Sequence, residues 1–148
     1  MVLRDLPDGT VTFLFTDIEG STPLWDRNPQ AMRKALARHN VILEEGIESQ
    51  GGLVFKVIGD AFQGVFTTPG GAIKAAITIQ LALTAEDWGE IENIKVRMGI
   101  HAGEAETRDG DYLASHTLNR VARIMSAGHG GQILLSREAS EMVRAQLP

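Results

Sequence analysis

The chain has 148 residues, 43% hydrophobic and 22% charged, which fits one globular domain with a core of its own. Its net charge of −5 and scattered Lys and Arg exclude a basic stripe for nucleic acid, so an anionic ligand must be held by a local device. The lack of cysteine excludes disulfides, thiolate zinc sites and cysteine nucleophiles.

The first residues, MVLRDLPDG, are too polar for a signal peptide, and no apolar run approaches membrane-spanning length. No membrane contact and a cytoplasmic location are therefore expected. VTFLFT reads as a first strand, buried on both faces because its apolar residues do not alternate. From Pro23 to about Ser49 the pattern is helical, with Leu24, Met32, Leu36, Val41, Leu43 and Ile47 among charged residues. It breaks near Asn28-Pro29 and stops at Gln50-Gly51-Gly52. LVFKVI and AFQGVF are strand-like runs joined by Gly59-Asp60, which predicts a tight hairpin with those residues in the turn. A helix from Pro69 is expected to gather Ile73, Ala76, Ile77 and Leu81 on one face. Then come a strand in IKVRMGIHAGEAE, a turn at RDGD and a helix around HTLNRVARIMSA. A glycine turn at GHGG, a strand QILLS and a final helix from Arg137 follow. Strands that alternate with helices but include a hairpin predict helices on one face of a largely antiparallel sheet. Met98, Met125 and Met142 read as core fillers. No repeat or linker divides residues 1–148.

The chemistry gathers at FTDIEGST. Asp17 ends the first strand and Asp60 sits at the hairpin tip, so pairing of these elements brings two carboxylates to one end of the sheet. Close carboxylates repel until a hard cation such as Mg²⁺ lies between them. Thr22 followed by Pro23 reads as a helix N-cap, and the amides of Glu19 to Thr22 then favour a phosphate. A metal seat beside an anion seat suits a nucleotide. Both residue types also have plainer uses, Asp in turns and caps and Ser-Thr-Pro at any helix start.

With those residues in place, the chain resembles the class III nucleotidyl cyclase catalytic domain, the family of adenylate and guanylate cyclases. The resemblance runs from about Gly9 to Ser136 through TFLFTDIEGST, FKVIGDAF, AIKAAITIQLAL, RMGIHAGEA, DGDY and LNRVARIMSAGHGGQILLS, in that order. It is closest to bacterial members. It implies an α+β, ferredoxin-like βαββαβ sandwich, a head-to-tail homodimer with sites at the subunit interface, and conversion of ATP to 3′,5′-cyclic AMP and pyrophosphate. It implies two Mg²⁺ or Mn²⁺ ions on Asp17, Asp60 and the Ile18 carbonyl, with Gly20, Ser21 and Thr22 at the β- and γ-phosphates. From the partner subunit, Lys56 would meet adenine, Asn119 the ribose and Arg123 the transferring phosphate. Asn119 and Arg123 stand four apart in a helical pattern, which puts them on one face.

The sequence departs from the family pattern in places. Tyr112 stands where a second base-selecting residue is expected, with Asp111 one step earlier as the residue to reach adenine. Glu104 follows the His-x-Gly stretch where some relatives have Arg. A closing hairpin is expected beyond Pro148, in keeping with a catalytic domain taken from a longer protein. Three other readings remain: a guanylate cyclase, a catalytically degenerate nucleotide-sensing or dimerisation module, and a diguanylate cyclase, the last opposed by the missing GGDEF-type hairpin. His101 and His116 have no metal-ligand spacing and read as ordinary polar residues. GHGG precedes a strand and reads as a structural turn.

Overall fold

The apolar run that ends at Asp17 is the middle strand of the sheet. This strand, β1 (Gly9–Ile18), is buried without alternation from Val11 to Thr16, which requires cover on both sides. The computed structural model describes residues 5–146, so the domain expected over 1–148 extends beyond the described residues at both ends. β1 pairs antiparallel with β3 (Ala61–Phe66) on one side and β4 (Val96–Ala105) on the other. β2 (Leu53–Ile58) forms the expected hairpin with β3, and β7 (Ile133–Leu135) adds in parallel beside β4. The order β2-β3-β1-β4-β7 is the expected α+β βαββαβ arrangement with one further strand.

Alternating side chains of β1 serve two separate cores. Leu14 and Ile18 face one closed by α2 (Pro29–Ser49) and α3 (Pro69–Ala85), with Ala139 and Met142 of α5 (Arg137–Gln146) at its side. Val11, Phe13 and Phe15 face the other way, into a cluster with Phe55, Tyr112 and Val121. Phe13 meets Tyr112 edge to face with ring centres 5.1 Å apart, and Phe55 meets Tyr112 at 4.9 Å. Val121 belongs to α4 (His116–Ser126), which lies on this second face. The helices therefore lie on both faces, whereas the alternation of strands and helices predicted them on one. β4 makes room for α4 with glycine: a Cβ at Gly99 would lie 2.5 Å from the Met125 amide nitrogen and one at Gly103 3.0 Å from the Thr117 side chain.

α3 also differs from its expected orientation. It buries Ala72, Ala75, Ala76, Ile79 and Leu83, whereas Ile77 and Leu81 are 48% and 66% exposed. Three alanines on the buried face permit a close approach around Ile79 and Leu83, and Ile77 and Leu81 on the opposite side are left outside. Val41 on α2 is likewise exposed, while Met32, Leu43 and Ile47 are buried as expected. Met98 is fully buried, and Met125 and Met142 pack at the edges of the two cores.

Candidate active site

Asp17 lies opposite Arg97 in the β1–β4 register. Arg97 Nε donates to Asp17 Oδ1 at 2.7 Å and Nη2 donates to Oδ2, a two-point pair whose Asp17 side chain is 19% exposed. The Asp17 hydrogen bond, working against burial, raises the Arg97 pKa, and the charges of Asp17, Glu19 and Asp60 add to it. Gly59 takes the first hairpin position with φ 59°, which glycine adopts without a Cβ penalty. The turn carries Asp60 back to β1, where its Oδ1 accepts the Ile18 amide at 3.0 Å. Asp17, Ile18 and Asp60 thus meet at one end of the sheet.

Carboxylate and carbonyl oxygens are hard donors that suit Mg²⁺ or Mn²⁺, with positions left for water and phosphate oxygens. Among the described residues no group of three or more His, Cys, Asp or Glu could hold a metal. The two carboxylates match a hard cation in donor type, and Arg97 supplies positive charge to them.

The turn after Asp17 starts its helix two residues earlier than expected. α1 (Ser21–Arg27) has Gly20 at its N-cap, with φ 68° and no side-chain cap. Thr22 is therefore not the cap but the second helical residue. Pro23 is the third, in a first turn whose amides lack intrahelical partners and so tolerate proline. Left-handed Gly20 reverses the chain directly after Ile18-Glu19, which leaves no room for an extended cap at Thr22. Glu19 is held twice: its amide donates to Lys95 O at 2.8 Å, and its Oε2 accepts the Gly130 amide at 2.7 Å.

A second cluster lies on the α4 side of the sheet. β5 (Thr107–Arg108) and β6 (Asp111–Tyr112) form a short hairpin through Asp109 and Gly110, both at positive φ. This hairpin brings Asp111 Oδ2 to 2.7 Å from Lys56 Nζ on β2. The Lys56 hydrogen bond holds the Asp111 carboxyl below its ordinary pKa against burial, helped by the Tyr112 amide. Burial raises the pKa of the Tyr112 phenol, which donates to Pro7 O. Ser115 caps α4 through the Leu118 amide, so Asn119 is not a cap. Asn119 and Arg123 are exposed one helical turn apart, whereas Arg120 turns to Glu138 at 2.6 Å. His101 is buried with Ser136, and His116 is exposed at the start of α4.

Two contributors escaped the sequence reading. Arg97 is a lone cation in an apolar strand, and only the β1–β4 register shows that it faces Asp17. The Glu19–Gly130 contact joins residues 111 positions apart, a distance no local pattern spans.

Comparison with known proteins gives a consistent picture. The family model of the adenylate and guanylate cyclase catalytic domain matches residues 5–147. An uncharacterised protein of Mycobacterium tuberculosis is 37% identical over 149 residues, covering 99% of this chain and 50% of that protein. The adenylate cyclase of Schizosaccharomyces pombe is 34% identical over 157 residues, covering 89% of this chain and 9% of its own length. The chain thus spans half or less of the curated relatives it matches. Among solved structures, an adenylate cyclase from Trypanosoma brucei in its monomeric state superposes with a TM-score of 0.86 at 28% identity, covering 98% of this chain and 82% of that one. No described helix is long and apolar enough to cross a membrane.

Proposed function

The chain belongs to the adenylate and guanylate cyclase catalytic domain family, and on that premise we propose that it converts ATP to 3′,5′-cyclic AMP and pyrophosphate as a head-to-tail homodimer. The observation that carries the choice of ATP is the Lys56–Asp111 pair at 2.7 Å. An ionised carboxylate only accepts hydrogen bonds, so Asp111 suits the exocyclic amine of adenine and opposes the carbonyl oxygen that guanine has there. Lys56 donates to the adjacent ring nitrogen.

The remaining roles follow from residue chemistry. Asp17, Asp60 and the Ile18 carbonyl would hold two Mg²⁺ or Mn²⁺ ions, which lower the pKa of the ribose 3′-hydroxyl and stabilise charge on the α-phosphate. Gly20, Ser21 and Thr22 bind the β- and γ-phosphates. When nucleotide binds, Arg97 relaxes its hold on Asp17 and faces the phosphate oxygens. From the partner subunit, Asn119 orients the ribose and the Arg123 guanidinium meets the charge that develops at the α-phosphate. Exposure of Asn119 and Arg123 on α4 supports their use across an interface. With Lys56 and Asp111 engaged by the base and Asp17 and Asp60 holding a cation, the Lys56–Asp111 and Arg97–Asp17 pairs would give way to contacts with substrate and metal.

The test is product chromatography after incubation with ATP or GTP and Mn²⁺, with Asp17→Ala as control. Cyclic AMP formed by the wild type and absent from the control supports the reading. Mixing inactive Asp17→Ala and Arg123→Ala chains should restore activity, because one hybrid site receives both intact halves. Tight ATP binding without any cyclic product would overturn it in favour of a sensing module.

A further inference from the structure

We propose that Glu19 and the GHGG turn form a latch that positions the phosphate-binding turn, making Glu19 a positioning residue of the site. This inference rests on the cyclase reading above. GHGG is otherwise only a connection between α4 and β7, yet it reaches the first turn of the chain's proposed chemistry. Gly131 donates to Val96 O at 2.9 Å, which seats the turn against the start of β4. His129 and Gln132 close it, the His129 amide donating to Gln132 Oε1 at 2.7 Å and the Gln132 amide to His129 O at 3.0 Å. From this fixed frame the Gly130 amide points at Glu19 Oε2.

Glu19 is therefore anchored through its amide to Lys95 and through its carboxylate to Gly130, in the middle of Asp17-Ile18-Glu19-Gly20-Ser21. The residues before it supply the proposed metal donors, and those after it supply the proposed phosphate amides. Gly20, at φ 68°, gives this segment a flexible joint, so its position depends on a hold from outside. Glu19 also lies close enough to Arg97 to add to its positive-charge stabilisation, yet Arg97 hydrogen-bonds Asp17. A carboxylate left loose at position 19 would compete with Asp17 for Arg97 and with phosphate for the turn amides; the Gly130 amide holds it away from both. Gly130 is suited to this contact by the absence of a side chain, since a Cβ would lie 2.4 Å from Glu19 Oε2 and 2.5 Å from Lys95 Cβ.

The experiment compares Glu19→Ala, Glu19→Gln, Gly130→Ala and the Glu19→Ala/Gly130→Ala double variant. Readouts are KM and kcat for ATP, melting temperature, and Mn²⁺-ATP affinity by Trp25 fluorescence in a Trp88→Phe background. Trp25 lies in α1, directly after the turn, and packs against the first core. Loss of one charge-assisted but exposed hydrogen bond predicts a rise in KM and in the dissociation constant of about fivefold to tenfold, with kcat changed less. Glu19→Gln, which keeps an acceptor oxygen, should recover most of that affinity. Gly130→Ala removes the same contact and also drives a Cβ against Lys95, so it should lose at least as much affinity as Glu19→Ala, and the double variant should be no worse than Gly130→Ala alone. Lower melting temperature with unchanged affinity, equal loss in Glu19→Gln and Glu19→Ala, or additive losses in the double variant would each overturn the latch. A wild type that makes no cyclic product would instead refute the cyclase reading, and the fluorescence titrations would still decide the latch.

Discussion

Replacing Asp111 by alanine should change nucleotide choice far more than stability. The Lys56 and Asp111 side chains are 38% and 42% exposed, so solvent screens their attraction and its loss should cost no more than about 1 kcal/mol of folding stability. The same carboxylate has a larger effect when a base covers it. A hydrogen bond to a charged acceptor contributes about 1.5–3 kcal/mol, so kcat/KM for ATP should fall roughly 10- to 150-fold. GTP, whose exocyclic carbonyl opposes the carboxylate, should lose nothing or gain. The assay is competition between ATP and GTP, with both cyclic products separated by chromatography and a melting curve as control. The Asp111 carboxyl is held below its ordinary value of 3.8, so it stays ionised above that value and the pair is lost only as pH falls through its lower folded pKa. Selectivity should therefore be flat through the neutral range. Equal loss for ATP and GTP, or a large drop in melting temperature, would show that Asp111 supports the loop and does not read the base.

Other perturbations probe the remaining parts of the structure. Arg97→Ala removes the cation that both Asp17 oxygens face, so calorimetry should find tighter nucleotide-free Mn²⁺ binding together with lower activity; unchanged metal affinity would refute competition between Arg97 and metal. Gly99→Ala places a Cβ 2.5 Å from the Met125 amide nitrogen, backbone that cannot rotate away. Overpacking of this kind costs about 1–3 kcal/mol, and displacement of α4 should reduce activity beyond the change in melting temperature. His39 is fully buried and has no partner at Nε2; burial lowers its pKa, opposed by the Asn40 hydrogen bond and the Asp60 charge. Its folded pKa lies below 6.5, so stability is complete above that value and falls as pH drops through the folded pKa. His39→Leu should flatten the decline in melting temperature between about pH 7 and pH 5, leaving the part due to His101, whose pKa burial also lowers.

How far the sequence could be read depended on whether each signal was local. The hairpin at Gly59-Asp60 was legible because turn chemistry and strand pattern lie within a few residues, and the same holds for the break at Asn28-Pro29. The lack of alternation in β1 already implied cover on both faces, which conflicts with helices on one face only; α4 resolves that conflict. α3 misled because apolar residues occur nearly all round it. The face it buries was chosen by close approach, as at Gly46, where a Cβ would lie 2.3 Å from Ile79 Cγ1. That kind of information belongs to two elements at once.

The same distinction separates the parts of the candidate site. Asp17 and Asp60 stood out because each ends a recognisable element, whereas Asn119 and Arg123 were named by the family resemblance, their four-residue spacing adding only that both lie on one helical face. Arg97, Glu19 and Gly130 contribute through the register of β1 against β4 and the seating of GHGG beside them. Their partners lie 80 and 111 positions away, so no periodicity marks them. Asp111 is an intermediate case. It stands one step before the expected position, Tyr112, and its pairing with Lys56 across the two-residue turn at Asp109-Gly110 could not be read from the chain.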